Sequence, residues 1–157
     1  MAVTPNTTFV AGNVYTAAQA NAFPRGLMAA VVTNTTTQSG VSSETALTSM
    51  TITFTAEAGR TYKASWIEPN IDSLGGTAGT SLLKFRKTNI SGTVLGAAYV
   101  ATGVAQNATN GHLFATFTTT AGSTTVICTA TGTGANQTYN RAATYPAVFM
   151  IEDIGAA

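Results

Sequence analysis

The feature that most limits the fold of this chain is a two-residue alternation of apolar and polar side chains. In MTITFTA (50–56), Met50, Ile52 and Phe54 fall on one face of an extended chain, and threonines fall on the other. A helix would scatter these positions around its axis, whereas a strand separates them onto two faces. The pattern therefore indicates a β-strand with one buried face.

Eight segments have this or a related apolar pattern and are predicted to be strands. In chain order they are LMAAVVT (27–33), ETALTSM (44–50), MTITFTA (50–56), RTYKASWIE (60–68), SLLKFRKT (81–88), GHLFATFTTT (111–120), STTVICTAT (123–131) and AVFMIEDI (147–154). The last is almost continuously apolar, which favours a central strand covered on both faces. Turn signals separate most of these segments, so we predict an all-β fold: an antiparallel β-sandwich, jelly-roll-like, with about eight strands. Its core is predicted to contain Phe54, Trp66, Phe85, Phe117, Val148 and Met150.

One short stretch, YTAAQANAFPRG (15–26), has the signals of a helix instead. Thr16 can cap the helix, and Gln19 stands three residues later, as in a capping box. Pro24 disfavours helical geometry at the residue before it, so the helix must end near Phe23. A helix this short is not stable alone, so it must pack against the rest of the chain.

The N-terminal region, residues 1–26, is predicted to serve in attachment and assembly, and residues 27–157 are predicted to form the sandwich domain. The first 14 residues carry no charged side chain and several apolar ones that so short a segment cannot bury by itself. We expect this arm to bury them on a neighbouring subunit; the alternative is that it forms the first strand of its own sheet. The predicted attachment residues are Phe9, Val10, Val14, Tyr15, Phe23, Pro24 and Arg25.

Charge is scarce, and this limits the partners to be expected. Charged residues make up 8% of the chain and the net charge is +1, against about 25% charged residues in ordinary soluble domains. No broad basic surface is available for nucleic acid or for an anionic membrane. The sequence also lacks the pattern of a signal peptide or a membrane-spanning run, so we expect synthesis in a cytoplasm.

No residue pattern predicts catalysis, a metal site or a cofactor. His112 is the only histidine, and no serine lies in a nucleophile-elbow pattern. Glu68 and Asp72, in EPNID, offer too few oxygen ligands for a calcium loop, and a Pro–Asn turn is the preferred interpretation. Cys128 is the only cysteine and is predicted to be a small buried side chain.

Lys84, Arg86 and Lys87 form the one basic cluster. Alternation along a strand places Lys84 and Arg86 on one face and Lys87 on the other. The preferred interpretation is an edge strand protected by charge. The alternative is a docking patch for an acidic surface of a partner.

Three parts of the chain together resemble a known module. They are TFVAG (8–12) with TAAQANAFPRG (16–26), MTITFT (50–55) with GRTY (59–62), and AVFMIEDIG (147–155). In this order they are similar to a widespread module of tailed-bacteriophage structural proteins, found in minor tail proteins and as small free-standing virion proteins. The resemblance implies a β-sandwich, no enzymatic activity and a place on the virion after synthesis in the host bacterial cytoplasm.

The expected function is therefore that of a small capsid decoration or accessory protein, assembled as a homotrimer on the particle. Its partners would be copies of itself and the major capsid or tail proteins, with no nucleic acid and no membrane. The alternative is a tail or tail-tip module that binds a host receptor, and a glycan-degrading enzyme comes third. Aromatic side chains in exposed loops would favour receptor binding, but the loops here are mostly glycine, threonine and asparagine.

Overall fold

The computed structural model describes residues 16–75, 77–103 and 108–157. Within them the chain forms eleven strands and one short helix. The elements are α1 (Ala17–Ala22), β1 (Gly26–Leu27), β2 (Val32–Asn34), β3 (Gln38–Val41), β4 (Thr45–Ala56), β5 (Arg60–Ser73), β6 (Gly79–Lys87), β7 (Val94–Thr102), β8 (Thr109–Thr118), β9 (Gly122–Thr133), β10 (Gln137–Tyr139) and β11 (Ala147–Ala156).

The strands form two antiparallel sheets, as the all-β sandwich prediction required. Sheet A has the order β1–β11–β5–β10–β3, with β2 also pairing with β11 and β8 with β5. Sheet B has the order β4–β9–β6–β7. The chain changes sheet at six of the ten connections between its described strands: on both sides of β4, between β5 and β6, on both sides of β8, and between β9 and β10. Consecutive strands therefore mostly lie in opposite layers, which is a jelly-roll-like arrangement.

Aromatic side chains from both sheets form the centre of the core. Phe54, Trp66, Phe85 and Phe117 are buried, as predicted. The ring centroid of Phe85 lies 6.3 Å from that of Trp66 and 5.6 Å from that of Phe149. Since β6 belongs to sheet B whereas β5 and β11 belong to sheet A, these ring contacts join the two layers.

The prediction for the last strand was wrong in one respect. β11 alternates buried with half-buried residues, so only one of its faces is covered. Phe149 and Ile151 point into the core, and Val148 and Met150, predicted as core residues, lie half-buried on the outer face. β11 is nevertheless an inner strand, because β5 pairs with it on one side and β1 and β2 on the other.

Strand boundaries also differ from the prediction. Segments 44–50 and 50–56 belong to one strand, β4, whose register shifts around Ser49, a residue with φ 58°. Segment 27–33 contains two short strands, β1 and β2, rather than one. Strands β3, β7 and β10 were not predicted, because two are very short and VLGAAYVAT in β7 has no polar alternation.

The predicted helix and its cap are confirmed. Gln19 N donates to Thr16 Oγ1 at 3.2 Å, and Thr16 N donates to Gln19 Oε1 at 2.9 Å, which completes the capping box. Phe23 ends the helix with extended geometry, φ −73° and ψ 151°, as Pro24 requires. The local signals in this segment are sufficient to position both ends of α1.

Candidate functional site

A buried ion pair fixes the junction between α1 and the sandwich. Arg60, at the start of β5, donates from Nε to Asp153 Oδ2 at 2.8 Å and from Nη2 to Asp153 Oδ1 at 2.5 Å. The two side chains are only 5% and 1% exposed. Arg60 also donates to the carbonyl oxygens of Asn21 and Phe23, the latter at 2.7 Å. It thereby satisfies carbonyls at the end of α1 that have no partner within the helix.

Three of the predicted attachment residues belong to the described part of the chain, and all three are exposed. Phe23 is 45% exposed, and Pro24 and Arg25 are also at the surface. Arg25 forms an exposed ion pair with Glu57, beside a depression of about 280 Å³ that Ala156 also borders. The other predicted attachment residues lie outside the described residues, and their role stays a prediction: Phe9, Val10, Val14 and Tyr15.

The basic cluster lies on an inner strand, so its interpretation as a charged edge was wrong. β6 is flanked by β9 and β7. Lys84 and Arg86 share the outer face of sheet B, where Glu44 binds both: Lys84 Nζ lies 2.7 Å and Arg86 Nη2 2.8 Å from Glu44 Oε2. Arg86 Nε and Thr129 Oγ1 donate to Glu44 Oε1 at 2.8 and 2.9 Å. Four donors thus surround one carboxylate.

Lys87 is separated from the other two cations. It follows Phe85 on the inward side of β6, and its Nζ donates to Thr119 Oγ1 at 2.7 Å. The structure therefore does not bring the three charges together on one surface. An acidic partner would have to compete with Glu44 for two of them, which weakens the docking-patch alternative.

Glu44 makes the free energy of unfolding depend on pH in the acid range. The hydrogen bonds from Arg86 above all, then those from Lys84 and Thr129, lower the pKa of Glu44 from 4.5 to about 2. Because the pKa of Glu44 is lower in the folded state, its ionised carboxylate stabilises the fold. This stabilisation is complete above about pH 4.5 and is lost as the pH falls through about 2.

We expect Glu44→Gln to lower the free energy of unfolding by about 2 kcal/mol at neutral pH, and by much less near pH 2. Urea denaturation at the two pH values measures this difference. Glu57→Gln is the matched control, since Glu57 is 54% exposed in its pair with Arg25. Equal losses for Glu44→Gln at both pH values would contradict the assignment.

A second ion pair is completely buried in the core. Arg141 donates from Nε to Glu68 Oε1 at 2.9 Å and from Nη2 to Glu68 Oε2 at 2.7 Å, and both side chains are 0% exposed. Trp66 Nε1 donates to Glu68 Oε2 at 3.2 Å. Burial raises the pKa of Glu68, and the hydrogen bonds from Arg141 and Trp66 oppose this shift.

EPNID is therefore neither a calcium loop nor the predicted turn. β5 continues through this segment, and its register with β8 shifts between Glu68 and Ile71. Arg141 engages both carboxylate oxygens of Glu68, so neither faces a site for a cation. Among the residues with described positions, no group of three or more histidine, cysteine or acidic side chains could hold a metal ion.

His112 and Cys128 lie in different surroundings, one at the surface and one in the core. His112 is exposed on β8, opposite Ile67 of β5. Cys128 is buried, and burial raises the pKa of its thiol well above the usual value. In the described part of the chain, no helix is long and apolar enough to cross a membrane.

Two exposed aromatic side chains were not singled out by the sequence analysis. Phe114 on β8 is 74% exposed and Tyr99 on β7 is 73% exposed. Phe114 alternates with Leu113 and Phe117, which are buried, so the two-residue pattern already placed it on the opposite face. Tyr99 gave no such signal, because β7 was not predicted as a strand.

Comparison with known proteins assigns no family. No family model matches this chain, and no curated protein matches it significantly. Among solved structures it is similar to CsCBM6-3 from Clostridium stercorarium in complex with cellobiose, with 15% sequence identity and a TM-score of 0.35. That match covers 76% of this chain and 74% of the other. It is also similar to a structure of the infectious bursal disease virus Gx strain, with 11% identity and a TM-score of 0.35. That match covers 85% of this chain and 37% of the viral chain, so this chain spans little more than a third of that neighbour. Likenesses this weak indicate nothing about ligand, partner or location.

Proposed function

We propose that this protein is a non-enzymatic structural protein of a tailed-bacteriophage virion, a capsid decoration or accessory protein that works as a homotrimer on the particle. The observation that carries the proposal is the junction of α1 with the sandwich. There, the Arg60–Asp153 pair holds the C-terminal end of α1, and the uncharged arm precedes the other end of this six-residue helix, at Thr16.

The junction gives the arm a fixed origin. A six-residue helix has too few hydrogen bonds to be stable alone, so the contacts of Arg60 with Asn21 and Phe23 keep it in place. Phe9 and Val10 precede Thr16 by seven and six residues, so an extended chain would carry them about 20–25 Å from it. At that distance they would meet an adjacent subunit, where burial would stabilise the complex by about 1.5–3 kcal/mol for each large apolar side chain.

The charged side chains of the described residues support a structural role. Glu44 binds Lys84 and Arg86, the pairs Arg60–Asp153 and Glu68–Arg141 are buried, and Arg25–Glu57 and Lys63–Glu152 are paired nearer the surface. Each pair joins segments distant in sequence. In these contacts the charged groups stabilise the fold, which is the role that a structural protein requires of them.

Deleting residues 1–14 is the test of this function. We expect the truncated protein to stay folded, because Thr16 and the capping box remain, and to bind particles that lack the protein with much lower occupancy than the full chain. Circular dichroism measures folding, and quantification of bound protein on purified particles measures occupancy. The matched control is Asn6→Ser with Thr7→Ser, which alters the arm and leaves its apolar residues in place.

The other outcomes are equally informative. Unfolding of the truncated protein would show that the arm is a strand of its own sheet. Full occupancy by the truncated protein would exclude the arm as the anchor. Failure of the full chain to bind particles would contradict the proposed function.

A further inference from the structure

One side of the sandwich has two long open strand edges. We propose that a second copy of this chain docks on this β7–β8 side, which is formed by the outer edges of β7 and β8 with Tyr99 and Phe114. This inference rests on the self-association in the proposed function and names its surface.

The two edges are unprotected. β7 ends sheet B, and β8 pairs only with β5, so within the described residues no strand pairs with the other edge of either. They contain 9 and 10 residues, VLGAAYVAT and TNGHLFATFT, without proline or any Asp, Glu, Lys or Arg. Edge strands that remain unpaired in soluble proteins are usually short or carry charges or proline. The absence of all these features favours pairing with another chain.

The opposite side of the sandwich shows how this protein protects an edge. β4 ends sheet B there, but Thr48 N donates to Gln38 Oε1 at 2.8 Å and Asn34 Nδ2 donates to Thr48 O at 2.5 Å. Side-chain amides thus occupy main-chain groups of the β4 edge. Sheet A ends on that side in β1, β2 and β3, which have only two to four residues each.

The two open edges are close enough to be covered by one partner. Gly96 of β7 faces Ala115 of β8, and a Cβ added to Gly96 would lie 2.5 Å from the Cβ of Ala115. The sheets therefore converge at this side. Tyr99 and Phe114 flank the converged edges, and of the large apolar side chains recorded as exposed in the described residues, they are the most exposed.

The chemistry of this side fits a copy of the same chain. Each open edge offers both backbone donors and acceptors, so β7 of one copy can pair with β8 of the next, a contact between two different edges as a homotrimer requires. A charged partner would lose the hydration of its charges without meeting an opposite charge here. With a net charge of only +1, two copies of the chain repel each other weakly.

The small size of the surface favours a weak association. A side about 33 Å long and about 15 Å thick covers about 500 Å² on each partner, less than the roughly 800 Å² of a standard stable interface. We therefore expect association in the micromolar range or weaker, which becomes complete where copies are concentrated on a particle.

The test places lysines on the β7–β8 side. Tyr99→Lys with Phe114→Lys is compared with Leu27→Lys plus Tyr145→Lys, which adds the same charge at residues that are 53% and 45% exposed elsewhere. Analytical ultracentrifugation over a concentration series measures the dissociation constant of each. We expect the first variant to self-associate at least about tenfold more weakly than the wild type, and the control to match the wild type.

Equal association of the first variant and the wild type would overturn this surface and leave the proposed oligomer standing. A wild-type protein that stays monomeric at millimolar concentration would overturn this surface, whereas the binding of the full chain to particles tests the proposed function separately. Circular dichroism checks that the variants fold. Should the double variant unfold, Thr116→Lys, at an exposed polar position on β8, replaces it and must weaken association by itself.

Discussion

Replacing Arg141 with leucine is expected to lower the free energy of unfolding by about 3–5 kcal/mol. The substitution leaves the Glu68 carboxylate, which is 0% exposed, without the guanidinium that contacts both of its oxygens. Trp66 Nε1 remains as a donor, but one neutral hydrogen bond cannot replace a bidentate ion pair. Urea denaturation at neutral pH measures the loss.

The cause of this loss can be checked with acid and with a second substitution. Burial raises the pKa of Glu68, so the destabilisation by an unpaired carboxylate is present at neutral pH and falls as the pH drops and the group takes up a proton. The double variant Arg141→Leu with Glu68→Gln should recover part of the stability, because no buried charge remains. A loss below about 1 kcal/mol for Arg141→Leu would contradict the role of the pair.

Replacing Phe85 with alanine is expected to cost about 3–5 kcal/mol, from the lost transfer free energy and the cavity that remains. Phe85 is 0% exposed, and its ring contacts those of Trp66 and Phe149 in the opposite sheet. The cavity would therefore open between the two layers. Thermal or urea unfolding measures the change.

Phe114→Ala is the matched control for this substitution. Phe114 is 74% exposed on the outer face of β8, so its removal should change the free energy of unfolding by no more than about 0.5 kcal/mol. Similar losses for the two variants would mean that the core has been assigned to the wrong face of the strands.

The parts of the fold that local patterns determine were predictable from the sequence. Alternation correctly placed Trp66 in β5, Phe85 in β6 and Phe117 in β8 on the buried face, because a strand needs only a two-residue period to separate its faces. The helix was predictable because Thr16 and Gln19 form their capping box within four residues. Both predictions depended on neighbours in sequence.

Errors arose where the local pattern gave no preference. In β11, Val148 and Met150 are as apolar as Phe149 and Ile151, so alternation could not show which set faced the core. Strand β7 was missed because VLGAAYVAT has no alternation of polar and apolar side chains. Its small residues have a structural reason, since Gly96 lies against Ala115 where the sheets converge.

The ion pairs of the candidate site could not be inferred from spacing. Arg60 and Asp153 are 93 residues apart, and Glu68 and Arg141 are 73 apart, so only the folded topology brings each pair together. Scarcity of charge was the one available signal. In a chain with 8% charged residues, an isolated arginine or glutamate inside a predicted strand is expected to form a buried ion pair with an opposite charge.

Quantitative mass spectrometry of gradient-purified phage particles decides whether this chain is a structural component of the virion. We expect it in the intact particles at a copy number comparable to that of the major capsid protein, as for a decoration protein on the capsid surface. A few copies per particle would instead indicate the tail-tip receptor-binding alternative. Its absence from particles, while it is abundant in the infected-cell lysate, would contradict a structural role in the virion.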